Sequence, residues 1–311
     1  MNLTVEIGRL KLKNPVMTAS GTFGYGEEYS EFVDLNMLGA VVVKGISLEP
    51  MEGNPPPRIC ETSCGMLNAI GLQNVGLKKF LKEKLPYLRQ FDTKIIVNIL
   101  GNSVREYVRL AQSLDDTGVD GIELNVSCPN VKKGGIAFGM DRRLLSSLIA
   151  KVRSAVKNTT VITKLSPNVS NIPEFAKTAE DAGSDVISLI NTIPGMAIDI
   201  NTGKPKLANV TGGLSGPAIK PIALRMVWEA TGAVKIPVIG IGGIMNAGDA
   251  IEFMLAGASA VQVGTGNFLN PKATTDIIDG LQSYLKRKSI HDIKEIIGKI
   301  HGAASDNNSY H

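Results

Sequence analysis

Apolar residues in this chain gather in short runs, and helically spaced stretches separate most of them. The runs fall at Val16–Ala19, Ala40–Val43, Ile95–Ile99, around Ile122, at Val161–Leu165, Val186–Ile190, Val238–Ile241 and Ala260–Val263. Ala40–Val43 shows no polar alternation, which is the pattern of a parallel strand covered on both faces. Between the runs, spacing predicts helices near Glu27–Leu35, over Leu77–Arg89, Val104–Thr117, Leu144–Val156, Ile172–Ala182, Pro217–Thr231, Ala247–Ala256 and Pro271–Arg287, with one more short helix after that. In the Val104–Thr117 helix Val104, Val108, Ala111 and Leu114 make the apolar stripe, and Gly118 stops it. Eight strands with intervening helices predict an α/β chain folded as a (β/α)8 TIM barrel. A doubly wound open sheet is the alternative. It favours an early Gly-x-Gly-x-x-Gly, but none follows the first run, and Met245 stands where the third glycine of the late Gly240–Gly242 set belongs.

Three stretches depart from the alternation. Leu3–Ile7 and Leu10–Leu12 read as an N-terminal hairpin around Gly8-Arg9, a plug or cover for the barrel. Residues 46 to 75, with Asn54-Pro55-Pro56-Pro57, and Pro194–Gly216 are long insertions expected over the C-terminal mouth. Met66–Asn74 (MLNAIGLQN) is apolar with two asparagines, so it is expected to be ordered and to line something. One domain is expected over residues 1–302, with a polar tail at 303–311.

Composition narrows the function. A chain of 311 residues, 43% of them hydrophobic, suits one α/β barrel. The net charge of +4 is spread without a basic run, which argues against nucleic acid. No apolar run approaches the ~18 residues of a membrane span, and the first ten residues are too polar for a signal peptide. A cytoplasmic protein without a membrane is expected. Three cysteines, an odd number, point to a reducing compartment. The only histidines are His291, His301 and His311, so the body of the chain offers no base for a Ser-His or Cys-His pair and no His-rich metal site. Acid–base chemistry falls to Cys, Lys, Asp, Glu or a cofactor, and no metal ligand is assigned.

In a barrel the chemistry sits at the C-terminal ends of the strands. Those ends carry Ser20-Gly21, Lys44-Gly45, Asn98, Asn125, Lys164, Asn191-Thr192, Gly242-Gly243 and Gly264-Thr265. Two lysines gathered at one mouth call for an anion. Glycine turns after the last two strands are where barrels bind phosphate through backbone N–H groups, with plain tight turns as the alternative. The phosphate belongs to a substrate or to a cofactor such as FMN. Lys164 suits the N1/O2 edge of a flavin, where reduction places negative charge. The alternative is a Schiff-base lysine. Cys128 stands at the open end of the fourth strand, which cannot go on at Pro129, and its neighbours are Ser127 and the amides of Asn125 and Asn130. It is a candidate proton-transfer or nucleophilic centre, with buried packing as the alternative. Residues 129–140, with Gly134, Gly135 and Gly139, are a candidate lid.

Taken together, NVSCPN (Asn125–Asn130), MLNAIGLQN, VVVKG (Val41–Gly45), KLSPNV (Lys164–Val169), IGGI (Ile241–Ile244) and VQVGT (Val261–Thr265) resemble dihydroorotate dehydrogenases over roughly residues 3–300. The likeness is greatest to the type 1B catalytic subunit, since membrane-bound class 2 enzymes carry Ser in place of Cys128. The resemblance implies FMN-dependent oxidation of dihydroorotate to orotate in pyrimidine biosynthesis. Cys128 would take the C5 proton while the C6 hydride goes to FMN N5. Lys44, Asn68 and the backbone of Ile70, Gly71 and Leu72 would hold the substrate carboxylate. Asn125, Asn130, Asn191 and Thr192 would hold its ring. FMN would contact Ala19, Ser20, Gly21, Lys44, Gly45 and Asn98. Asn125, Lys164, Ile190, Gly216, Gly242, Gly243, Gly264 and Thr265 would complete its site. The resemblance further implies a homodimer within a heterotetramer, whose partner subunit carries FAD and a [2Fe–2S] cluster and passes electrons to NAD+. Cys60 and Cys64, in RICETSCGM, depart from the family pattern. They read as two loop thiols, with a partner contact or redox role as the alternative. Four rival readings remain: a fumarate-using type 1A enzyme, a dihydropyrimidine-type dehydrogenase, a phosphate-binding barrel isomerase or aldolase, and a non-enzymatic flavin-binding protein, in which Cys128 and the lid would be idle.

Overall fold

The computed structural model describes residues 1–126 and 138–302. Eight parallel strands close into a barrel: β1 (Val16–Thr18), β2 (Ala40–Ile46), β3 (Lys94–Ile99), β4 (Gly121–Asn125), β5 (Thr160–Lys164), β6 (Val186–Leu189), β7 (Val238–Ile241) and β8 (Ala260–Val263). They follow one another around the barrel in chain order, and β8 closes on β1 through Val261↔Val16 and Gln262↔Met17. Ala40–Val43, the whole of β5 and the whole of β8 are buried, as strands covered by helices outside and by packed side chains inside must be. Gly240 lets the outer layer lie directly on β7, because a Cβ there would stand 2.5 Å from the Phe253 ring.

Four of the surrounding helices begin where a short polar side chain satisfies free N–H groups. Ser103 caps Val104–Asp115, Asp141 caps Arg142–Ala155 and Asn171 caps Ile172–Asp181. Asn246 and Asp249 form a reciprocal capping box at the start of Ala247–Leu255. Two helical expectations need correction. The helix expected near Glu27–Leu35 is absent; two 3₁₀ turns, Glu27–Tyr29 and Leu35–Met37, stand there. Local turn bonds win over helix formation: the Glu28 carboxylate accepts from the Tyr25 N–H, and Asp34 accepts from the Asn36 N–H. The stretch predicted as Leu77–Arg89 is helical over Gly76–Leu88 but widens to a π-helix at Phe80–Lys84. Pro86 follows directly and has no N–H to return to the preceding turn.

The two ends of the barrel differ. Val5–Ile7 and Leu10–Leu12 pair as an antiparallel hairpin with Ile7 and Leu12 fully buried. A Cβ on Gly8 would meet Thr160 and Val186, the first residues of β5 and β6. The hairpin therefore plugs the N-terminal end. At the other end the two insertions combine. Ile193–Met196, Thr211–Ser215, Gly65–Asn68 and Ile59–Thr62 form one four-stranded antiparallel sheet in that order. Leu67, Ala69 and Leu207 make its own small core.

Candidate active site

β2 runs through Lys44 and Gly45 to Ile46, and its pairing with β3 shifts between Val43 and Ile46. Such an irregularity re-aims side chains at a strand end. The end of β2, the ends of the other strands and the insertion sheet enclose a cavity of about 290 Å³. Every site residue named from the sequence that lies within the described residues lines it: Ala19, Ser20, Gly21, Lys44, Gly45, Asn68, Ile70, Gly71, Leu72, Asn98, Asn125, Lys164, Ile190, Asn191, Thr192, Gly216, Gly242, Gly243, Gly264 and Thr265. Cys128, Asn130 and the candidate lid over residues 129–137 lie outside the described residues. The far end of that loop is anchored at Phe138–Met140, where the Gly139 N–H donates to the Val126 carbonyl (2.8 Å) and Phe138 meets Tyr107 edge to face.

The two lysines sit in different surroundings. The Lys164 ammonium donates to Ser20 Oγ (3.2 Å) and stands 3.8 Å from the carboxylate of Glu123. Lys44 is half-buried, and no hydrogen bond or ion pair holds its ammonium among the described residues. Burial first, and the nearby Arg58 guanidinium second, hold Lys44 below the usual lysine range, against the opposing pull of Glu28. A half-buried cation beside a second cation is a ready receptor for a carboxylate.

The amides are held in set directions. Asn191 Nδ2 donates to Asn125 Oδ1 (3.3 Å), the Thr192 N–H donates to Asn191 Oδ1 (2.8 Å), and the Tyr107 hydroxyl donates to the Asn125 carbonyl (2.6 Å). Asn68 Nδ2 donates to the Gly213 carbonyl (3.3 Å) within the insertion sheet. Leu72 adopts a left-handed φ of +63° directly after Gly71 at +76°, a backbone path rare for a bulky residue and characteristic of ligand-clamping turns. Asn98 Oδ1 is buried with no partner within the described residues.

Glycine is required where the backbone closes on the cavity. A Cβ on Gly243 would stand 2.8 Å from the Gly216 carbonyl and 2.7 Å from Lys220 Cβ, and Gly243 has φ +71°. The Thr265 hydroxyl donates to Ser215 Oγ (2.8 Å), tying β8 to the insertion sheet. Together the lining offers one orphaned acceptor, a buried cation, a second, half-buried cation and a crowded glycine cradle. That set matches a planar heteroaromatic group bearing a phosphate, with a small carboxylate beside it.

These elements meet the comparisons with known proteins. A family model described as dihydroorotate dehydrogenase matches residues 2–285. The chain belongs to the dihydroorotate dehydrogenase family. It is 59% identical over 300 residues to a Thermoanaerobacter pseudethanolicus protein named dihydroorotate dehydrogenase B (NAD(+)), catalytic subunit, covering 96% of this chain and 99% of the relative. A Geotalea uraniireducens protein of the same name is 58% identical over 301 residues, covering 96% and 98%. The crystal structure of an Eimeria tenella dihydroorotate dehydrogenase in complex with ferulenol superposes with a TM-score of 0.80 at 24% identity, over 96% of this chain and 89% of that one; it speaks for the fold alone. Among the described residues no group of three or more His, Cys, Asp or Glu could hold a metal, and no helix is long and apolar enough to cross a membrane.

Sequence reasoning missed four contributors. Arg58 comes from the proline-rich insertion, held by Gln73 Oε1 (2.7 Å) and the Asn54 carbonyl (3.3 Å), and no local pattern marks it. Glu123, Ser188 and Gln262 lie beneath the cavity, each fully buried. A charged residue in the middle of a doubly covered strand was the available signal for Glu123. Cys60 and Cys64 stay apart from the cavity lining. Cys60 packs against the small insertion core, and Cys64 is exposed at the hairpin turn.

Proposed function

We propose that this chain is the catalytic subunit of an NAD+-linked dihydroorotate dehydrogenase, oxidising dihydroorotate to orotate in pyrimidine biosynthesis. The observation that carries the reading is the presence, in one glycine-cradled cavity, of Lys164 beside Glu123 and of a Lys44 whose ammonium has no hydrogen-bond or ion-pair partner among the described residues. The printed names of the relatives supply the substrate and the acceptor. Lys164, Asn98 and the glycines after β7 and β8 would hold FMN, which would supply the hydride acceptor.

The residues of the chain divide the remaining work. Lys44, Asn68 and the backbone of Ile70–Leu72 bind the substrate carboxylate and turn the ring toward the barrel axis. Asn125, Asn130, Asn191 and Thr192 pair with the donor and acceptor edges of the ring. Cys128 removes the C5 proton. The Lys164 ammonium would stabilise the negative charge that reduction places on the flavin. The chain has three cysteines, Cys60, Cys64 and Cys128, fewer than the four thiolates of a [2Fe–2S] cluster. That count supports placing the cluster on a separate subunit, as does the relatives' name, catalytic subunit; FAD on that subunit, a dimer of this chain and a cytoplasmic location are part of the same proposal. In the test, the isolated chain oxidises dihydroorotate with an artificial dye, and NAD+ serves only once the partner subunit is added. Rapid turnover with fumarate alone would assign it to the type 1A enzymes instead.

A further inference from the structure

Beneath the cavity lies a buried carboxylate that the proposed chemistry does not use. Glu123, at the centre of β4, is wholly inaccessible to solvent. One oxygen accepts from Asn98 Nδ2 (2.7 Å) and the other from Ser188 Oγ (2.9 Å) and Gln262 Nε2 (2.9 Å). Glu123, Ser188 and Gln262 project from β4, β6 and β8, the alternate strands that build one interior layer of a barrel. Asn98 and Lys164 come from β3 and β5 and line the cavity above. A single carboxylate thus touches or faces side chains from four other strands.

Two consequences follow from its chemistry. An ionised carboxylate only accepts hydrogen bonds, so Asn98 must turn its Nδ2 toward Glu123 and leave Oδ1 without a partner among the described residues. The amide is thereby fixed as an acceptor for the bound group. The negative charge also stands 3.8 Å from the Lys164 ammonium, inside a medium where charges interact strongly. Burying an acid costs folding energy unless it is paired and hydrogen-bonded, and here three neutral donors and one cation surround it. A hydrophobic layer would fill the same space without that cost. We propose that Glu123 is a positioning residue for the flavin: its charge, moderated by Asn98, Ser188 and Gln262, sets how much of the Lys164 field reaches the flavin and so sets the flavin's reduction potential.

This rests on FMN occupying the cavity, and the test separates the two ideas. The midpoint potential of bound flavin is measured by dye-coupled reduction in the wild-type protein and its variants. Glu123→Gln removes the negative charge and shifts the potential to more positive values, because the reduced, anionic flavin is stabilised. Ser188→Ala removes a donor while keeping the charge and shifts it to more negative values. In the double variant the Ser188→Ala shift disappears, since no charge remains to be moderated. Glu123→Asp stays nearer the wild-type value than Glu123→Gln. Flavin-loaded Glu123→Gln with an unchanged potential would overturn the proposal, as would shifts of the same sign in both single variants. Should Glu123→Gln fail to fold or load, Ser188→Ala and Gln262→Met decide: both move to more negative potential if the proposal holds, and unchanged values overturn it. Wild-type protein that takes up no flavin would overturn the flavoprotein reading itself, and the proposal with it.

Discussion

Lys44 reaches the cavity from inside β2 with Arg58 nearby and no hydrogen-bonding carboxylate among the described residues. Burial and then Arg58 depress its pKa, so its ammonium is lost at a lower pH than that of a free lysine. An anionic ligand binds the protonated form, which gives the sign: affinity for orotate falls as pH rises through the depressed Lys44 value, and binding on the alkaline side takes up a proton. Calorimetric titration of orotate in buffers of different ionisation heat checks both. Lys44→Met should weaken orotate by about tenfold to a hundredfold, the worth of one charge-assisted hydrogen bond, and should flatten the pH dependence. Cys128 carries the second prediction at this scale. A thiol with an ordinary pKa near ~8.5 is a better base as pH rises, so the rate of flavin reduction should climb toward alkaline pH. Cys128→Ala should keep the flavin and lose roughly a hundred- to ten-thousand-fold in that rate, the usual contribution of a general base. An active alanine variant would remove Cys128 from the mechanism. The lysines, asparagines and glycines at the strand ends were legible in the sequence because strand ends are marked by where apolar runs stop. Arg58 was not, because its place depends on how a proline-rich insertion folds back over another element. Glu123 was half legible: a charge within a buried run is visible, but its partners come from strands 25 to 139 residues away.

At the scale of elements, the barrel strands and most helices follow from periodicity and caps, while the insertion sheet does not. Its four strands come from two insertions more than a hundred residues apart, and they read individually as irregular, glycine- and proline-rich chain. Only the barrel brings them within hydrogen-bonding distance. The segment at residues 27–37 fails for the opposite reason: its composition permits a helix, but local side-chain bonds to the backbone close turns first. One long-range contact joins elements firmly enough to predict. Asp115, at the end of Val104–Asp115, accepts the N–H groups of Lys157 (2.8 Å), Asn158 (3.0 Å) and Thr159 (2.9 Å) just before β5. Burial pushes its carboxyl up, but these backbone donors outweigh it and leave the pKa below the usual aspartate value. Its stabilisation is therefore present above the unfolded value near ~3.9 and is lost as pH falls through the lower folded value. Asp115→Asn should cost about 1.5–3 kcal/mol near neutral pH, the worth of hydrogen bonds to a charged group. The gap between variant and wild type should close in acid, as denaturant unfolding at several pH values would reveal. A gap that is the same at every pH would refute the charge-based account.

Over the whole molecule, structure and chemistry are divided between the two ends of one barrel. The N-terminal end is sealed by the hairpin around Gly8, and the polar side chains with a candidate role face the C-terminal end under the insertion sheet. Glu123, fully buried, stands 3.8 Å from Lys164, and Lys164, Asn98, Lys44 and Arg58 all line the one cavity. That set suits the proposed flavin with a carboxylate substrate beside it. The claim on which the rest depends is that this cavity holds a flavin reducible by dihydroorotate. Its most direct test is the visible absorption spectrum of the purified protein, recorded before and after anaerobic addition of dihydroorotate. The account predicts flavin bands that bleach on addition. Flavin bands that persist, or a protein that stays colourless even after FMN is supplied, would contradict it.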